Sequence, residues 1–102
     1  MNYNDCIKIS ILDYLILEFI NKRGECTVSE IKHYLQTISD VSRQTLHNRL
    51  KKLYQKDHYI TQKYYSNEYE KGKIITKIYY VPTDAGAEFY EKTAKLISKV
   101  SA

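Results

Sequence analysis

The chain has no Trp, one Pro, three Gly and two Cys in 102 residues, and each shortage excludes something. So little Pro and Gly leaves few tight turns, and most of the chain must lie in long regular elements. Cys6 and Cys26 are too few for a disulfide scaffold and lack metal-motif spacing. The nearest approach to a ligand pair, Cys26 and His33, places two groups seven apart on a loop and a helix, which is weak ground for a metal site. No apolar run reaches the length of a membrane span. Met1–Ser10 lacks the basic start, long apolar stretch and small-residue cleavage site of a secretory leader. An intracellular, cytoplasmic protein is expected, without a membrane partner. There is no Gly-rich phosphate loop, and His33, His47 and His58 have no acid or nucleophile at a suggestive spacing. The expectation is therefore no enzyme, no cofactor and no metal. A chain of this length makes one domain with a single core and leaves little room for an enclosed pocket.

What is present is uneven. There are eleven Tyr against two Phe, and the net charge is +4, which suits an acidic partner without requiring one. The most informative stretch is Val41–Lys56, VSRQTLHNRLKKLYQK. Leu46, Leu50, Leu53 and Tyr54 recur at spacings of four, seven and eight, one face of a helix. A turn of about 100° per residue puts Gln44, Thr45, Asn48, Arg49, Lys52 and Lys56 opposite, flanked by Lys51 and Gln55. No carboxylate occurs in this stretch before Asp57. A merely solvated helix usually mixes both signs, because Glu–Lys pairs four apart support it. A face of Arg, Asn, Gln, Thr and Lys is instead suited to the DNA major groove, where Arg reads guanine, Asn and Gln read adenine, and Lys neutralises phosphate.

The rest of the chain reads as support for that helix. A first helix is expected over 5–22, with Ile7, Ile11, Leu12, Leu15, Ile16, Phe19 and Ile20 as a wide apolar stripe, wider than one small domain covers. Thr27-Val28-Ser29-Glu30 fits a capping box and opens a second helix over 28–37, after a connector at Glu25–Thr27 with room for a very short strand. The basic third helix is expected over 42–57, capped by Ser42 or Asp40, and His58 or Asp57 is expected in a left-handed conformation. Two alternating strands then form a hairpin over 59–81 turned at Gly72. Ile75, Tyr79 and Val81 should face the core, leaving Ile74, Ile78 and Tyr80 without obvious cover. A last helix over 84–100, capped by Thr83, carries two apolar lines, Phe89/Thr93/Leu96/Val100 and Ala87/Tyr90/Ala94/Ile97. One line is expected on the body and the other on a second subunit.

The order α-β-α-α-β-β-α is that of an α+β winged helix-turn-helix, here with a long hairpin wing and a long C-terminal dimerisation helix. At these residues the chain resembles the PadR and MarR groups of transcription factors and the small winged-helix DNA-binding proteins of archaea and their viruses. Cys26-Thr27-Val28-Ser29-Glu30-Ile31 resembles the family's opening of helix two. Val41-Ser42-Arg43-Gln44-Thr45-Leu46 and Leu50-Lys51-Lys52-Leu53 resemble its third helix. Tyr79-Tyr80-Val81-Pro82-Thr83-Asp84-Ala85-Gly86 resembles the Tyr-x-Leu-Thr-x-x-Gly that follows its wing. The resemblance spans about residues 10–90. It departs at His58, where the family usually has Gly, and in a longer, Tyr-rich hairpin.

The resemblance implies a regulator of transcription that binds double-stranded DNA as a homodimer, with the third helix in the major groove and the wing on the backbone or minor groove. Gln44, Thr45, Asn48 and Arg49 are the base-edge candidates. Ser42, Arg43, Lys51, Lys52 and Lys56 are the phosphate candidates, joined at the wing tip by Lys71, Gly72 and Lys73, with Ser29 and Lys32 near the flanking strand. The candidate dimer interface is Ile11, Leu15, Tyr90, Ala94 and Ile97. Cys6 could bridge two subunits in an oxidising compartment or a hyperthermophile, to which the Ile, Lys and Tyr content is a compositional hint. The alternatives are a winged-helix protein-interaction module without DNA readout and a sequence-nonspecific, chromatin-type DNA binder.

Overall fold

Ser10 marks where the first helix begins. Its backbone is extended and its side chain accepts the Asp13 amide, and helix α1 runs Ile11–Arg23, while residues 5–9 of the expected span lie outside the described residues. The structure, a computed structural model, describes residues 10–70 and 72–101, and side chains at all of these except 67–70, 100 and 101. Cys6, Ile7 and Lys71 lie outside the described residues. Asp13, Ile16, Leu17 and Ile20 are the buried residues of α1. Leu12, Leu15 and Phe19 pack partly against them, whereas Ile11, expected in the same stripe, is 80% exposed. The stripe is thus rotated, and a carboxylate sits where a hydrophobe would be expected. Gly24 ends the helix with φ 84°, a conformation that favours glycine.

Helix α2, Val28–Gln36, starts with the capping box in full. Thr27 caps the Glu30 amide and Glu30 returns to the Thr27 amide. Helix α3, Arg43–Lys51, starts at Ser42, whose hydroxyl accepts from the Thr45 amide. It does not continue as an α-helix to Asp57. Lys52–Lys56 is a π-turn, closed by the Asp57 amide on the Lys52 carbonyl at 3.0 Å. The wider turn absorbs one more residue than α-geometry would. His58 then takes φ 56°, and the Tyr59 amide bonds back to the Leu53 carbonyl. His58 takes the place of the usual glycine at a modest conformational cost.

Strands β1, Ile60–Glu70, and β2, Lys73–Pro82, pair antiparallel, with a bulge between Tyr65 and Glu68. Gly72, φ 78°, lies in the turn. Cys26 adds a single bridge to Tyr80, with amide–carbonyl distances of 3.1 and 2.8 Å, and so ties the start of α2 to the base of the wing. The expected parity holds for Ile74 and Ile78, which are exposed, and for Ile75, Tyr79 and Val81, which are half-buried, and Tyr80 is the exception. Tyr80 and Ile60 are buried, and Tyr79 lies on the opposite face, edge-on to Tyr65. Tyr80, expected without cover, is covered by an element of one residue, Cys26. Further out the same face continues through Tyr64, Ile78 and Ile74, all exposed. Among the described side chains only the base of the hairpin is buried, so the wing leaves the body.

Helix α4, Asp84–Ser101, returns across α1. Tyr90 stacks on Tyr14 at 5.8 Å and Phe89 on Tyr59 at 4.4 Å. Thr93 is buried and donates to the Phe89 carbonyl. The core is Ile16, Leu17, Ile20, Cys26, Ile31, Leu35, Leu46, Leu50, Leu53, Ile60 and Tyr80. Each aliphatic member contributes about 1.5–3 kcal/mol by leaving water. It lies behind α3 and fixes that helix by Leu46, Leu50 and Leu53.

Candidate nucleic-acid interface

With Leu46 and Leu50 turned inward, the outer face of α3 is settled by geometry. Arg43, Gln44, Thr45, His47, Asn48 and Lys51 are exposed, and Lys56 is exposed on the π-turn. None of the residues Arg43–Lys51 is acidic. His47 is an addition to the expected set, on the same side as Gln44 and Lys51.

The polar side chains here are not loose. The Gln44 side-chain amide donates to Asn48 Oδ1 at 3.1 Å, one turn along. The Ser42 hydroxyl donates to Thr45 Oγ1 at 2.9 Å while accepting the Thr45 amide. Such bonds restrict rotamers before any ligand arrives. Thr45, Asn48, Arg49 and Lys52 line a hollow of about 290 Å³ along one flank of the helix.

Beneath that flank lies Asp13 of α1. Its side chain is only 2% exposed, and Oδ2 faces Lys52 Nζ at 3.4 Å and Arg49 NH1 at 3.8 Å. Its Oδ1 is buried with no hydrogen-bond partner. As the third residue of α1 it also sits at the positive end of that helix. Lys52 Nζ reaches Asp57 at 3.0 Å as well. The hydrogen bond to Asp57 raises the Lys52 pKa most, burial opposes it, and the Asp13 charge adds to the rise. Two cations of the expected binding face are therefore matched by Asp13 of α1 and by Asp57 just after the π-turn. The sequence carries one signal for this: Asp13 stands three and four residues before Ile16 and Leu17, on the buried face of α1.

On the wing, Gly72 and Lys73 are exposed. Lys63 lies 3.8 Å from Glu25 and over the Tyr65 ring, and Tyr65 donates to Glu25 at 2.8 Å. The base of the wing is thereby anchored to the connector before α2. Ser29 is exposed beside Lys77 and Ile78 at the root of the wing, and Lys32 is half-buried. Of the expected subunit-contact residues, Ile11 and Ile97 are exposed, and Leu15, Tyr90 and Ala94 are half-buried. Cys26 is fully buried, and burial pushes its thiol up to about 12, whereas His33 is exposed. No helix among the described residues is long and apolar enough to cross a membrane.

No family model and no curated protein matches the chain. Solved structures do. A protein from Streptococcus mutans UA159 is 25% identical with a TM-score of 0.72, over 89% of this chain and 79% of that one. A PadR family transcription regulator from hypervirulent Clostridium difficile R20291 is 27% identical with a TM-score of 0.70, over 89% of this chain and 94% of that one. Bacillus subtilis PadR, in complex with operator DNA, is 26% identical with a TM-score of 0.62, over 85% of this chain and 47% of that one. This chain thus spans about half of that last protein. The α+β fold, with four helices and a two-stranded antiparallel hairpin among the described residues, matches the winged-helix fold of the two PadR proteins.

Proposed function

We propose that the chain is a transcription regulator that binds double-stranded DNA as a homodimer, with α3 in the major groove and the wing along the backbone or minor groove. The observation that carries this reading is the outer face of α3, exposed, hydrogen-bonding and free of carboxylates. The similarity to a PadR seen with operator DNA supports the same use of the fold.

In this reading Gln44, Thr45, Asn48 and Arg49 meet base edges. Asn48, already linked to Gln44, would present its amide to an adenine, and Arg49 its guanidinium to a guanine. Ser42, Arg43, Lys51 and Lys56 meet phosphates, and Lys52 borders them while held by Asp57 and Asp13. Lys71, Gly72 and Lys73 reach the backbone from the wing tip. Phosphate contacts position the protein and base contacts specify the sequence. The exposed Ile11, Leu96 and Ile97, with Leu15, Tyr90 and Ala94 beside them, form the contact between subunits.

The test is a titration onto a labelled random duplex over a salt series, followed by selection of a preferred site. Binding that weakens steeply with salt is expected, about a thousandfold or more from low to moderate salt if a dimer engages six to ten phosphates. No binding at the lowest salt would overturn the reading and favour a protein-interaction module. Equal affinity for every duplex would leave a nonspecific DNA binder.

A further inference from the structure

Asp13 is the one buried carboxylate behind the proposed DNA face among the described residues, and none of the proposed DNA contacts uses it. It comes from α1, 36 and 39 positions before the two cations it faces. Its burial reduces solvent screening on its own side, so its charge acts on Arg49 and Lys52, themselves 41% and 39% exposed, more strongly than a surface carboxylate would. Together with Asp57 it cancels both cations. The middle of α3 is left electrically neutral and led by Gln44, Thr45 and Asn48, with uncompensated charge at Arg43, Lys51 and Lys56 around it.

We propose that Asp13 is a specificity-determining positioning residue: it withholds Arg49 and, together with Asp57, Lys52 from sequence-independent phosphate contacts, so that Arg49 leaves Asp13 only for a base edge that offers better acceptors. The inference rests on the DNA-binding reading of α3. A phosphate gives a lone cation little that Asp13 does not already supply. A guanine edge offers two acceptors in the fork geometry of a guanidinium, and Arg49, with 41% of its side chain exposed, has the freedom to take it. Discrimination then comes partly from what the protein denies to random DNA, as well as from what it gives to its site.

The experiment compares wild type with Asp13→Asn on random and selected duplexes across a salt series. Asparagine keeps the shape and removes the charge. Each cation released to phosphate should steepen the log–log salt dependence by about 0.9. That equals roughly a threefold to fourfold larger loss of affinity across a fourfold rise in salt. Asp13→Asn should therefore bind random duplex more tightly at low salt, with a steeper slope and a smaller ratio of selected to random affinity. Adding Arg49→Gln and Lys52→Gln to that variant should return the slope to the wild-type value. A residue that only held the fold would lower all affinities together and leave the slope alone, and that result overturns the proposal. So does a steeper slope that survives the two added changes, because the new charge would then come from elsewhere. If Asp13→Asn does not fold, the smaller Asp13→Ser carries the same expectation. Failure of the wild type to bind any duplex would instead remove the DNA-binding reading, and this inference with it.

Discussion

Gly86 lies directly under the backbone of Tyr59: a Cβ built on Gly86 would stand 1.8 Å from the Tyr59 carbonyl oxygen and 2.7 Å from its carbon. The oxygen cannot move away freely, because it also accepts the Thr83 amide at 3.1 Å. Thr83 completes the joint. Its hydroxyl donates to the His58 carbonyl at 2.7 Å and accepts the Gly86 amide at 3.0 Å. The stretch from Pro82 to Gly86 therefore welds the end of the wing and the start of α4 to the segment leaving α3. Gly86→Ala should destabilise the fold by about 3 kcal/mol, at the upper end of overpacking substitutions. Thr83→Ala should cost about 1 kcal/mol, as for a lost helix cap. Urea unfolding followed by circular dichroism reads both, and a Gly86→Ala midpoint equal to wild type would show that the Tyr59 backbone yields easily.

The capping box of α2 has a pH signature. The backbone amide of Thr27 donates to Glu30 and holds its carboxyl below the usual carboxylate range, with burial opposing and the Thr27 hydroxyl and Arg23 assisting. A folded-state pKa below the unfolded value means that the contribution is present above the unfolded value, about 4.3, and is lost as pH falls through the folded one. Glu30 keeps 37% of its side chain exposed, so the contribution is small and screened. Thr27→Ala should lower Tm by about 4 °C or more at neutral pH. Glu30→Gln should flatten the acid limb of a Tm-against-pH curve. A mutant curve that falls in parallel with wild type below pH 5 would assign the acid sensitivity to another group.

Within the DNA reading, the residues divide by what each can sense. Asn48→Ala and Gln44→Ala should lower the affinity for the selected site by about 1–3 kcal/mol per lost base pairing, with little change on random duplex. Lys73→Ala and Lys51→Ala should weaken both duplexes alike and reduce the salt slope by about one for each phosphate contact removed. Competition titrations at two salt concentrations separate the two kinds of change. Equal losses on both duplexes from Asn48→Ala would remove its base-reading role.

The Thr27–Glu30 box, the Leu46/Leu50/Leu53 spacing and the Thr83 cap are legible in the sequence because they are local, each set by residues within a turn or two of one another. The left-handed residue after the third helix, found at His58, is legible for the same reason. The features that the sequence hides are set by partners distant along the chain. The π-turn at Lys52–Lys56 arises where the end of α3 must join His58 and β1, and its residues, KLYQK, are ordinary helix formers. On β2 the sequence places Ile74, Ile78 and Tyr80 on one face without cover, and Ile74 and Ile78 are exposed as expected while Tyr80 is buried. Only the bridge from Cys26, more than fifty residues earlier, decides which of them is covered. Asp13 carries little signal for the same reason, since its two cations lie on other elements.

Ile97 and Leu96 frame the remaining prediction. Both stand on the far half of α4, 39% and 36% exposed, and Ile11 at the start of α1 is more open still. On the near half of the same helix, Tyr90 is half-buried against Tyr14 of α1, and burial first and the nearby Glu18 next push the Tyr14 hydroxyl up to about 12. The packed half thus gives way to an end where Leu96 and Ile97 keep more than a third of their surface open to solvent. If a second copy covers it, replacing Leu96 and Ile97 by Asp places charges where both subunits must desolvate them, which no partner group would offset. Sedimentation should then show the mass fall to the 12.1 kDa of one chain. Binding to a two-half-site duplex should weaken by about tenfold or more as the linkage between half-sites is lost. The single chain should lose some stability as well, because both positions are still more than half covered on it. A wild-type chain that already sediments as a monomer at the concentrations where it binds DNA would end the dimer proposal. It would leave α3 and the wing to bind as a single unit.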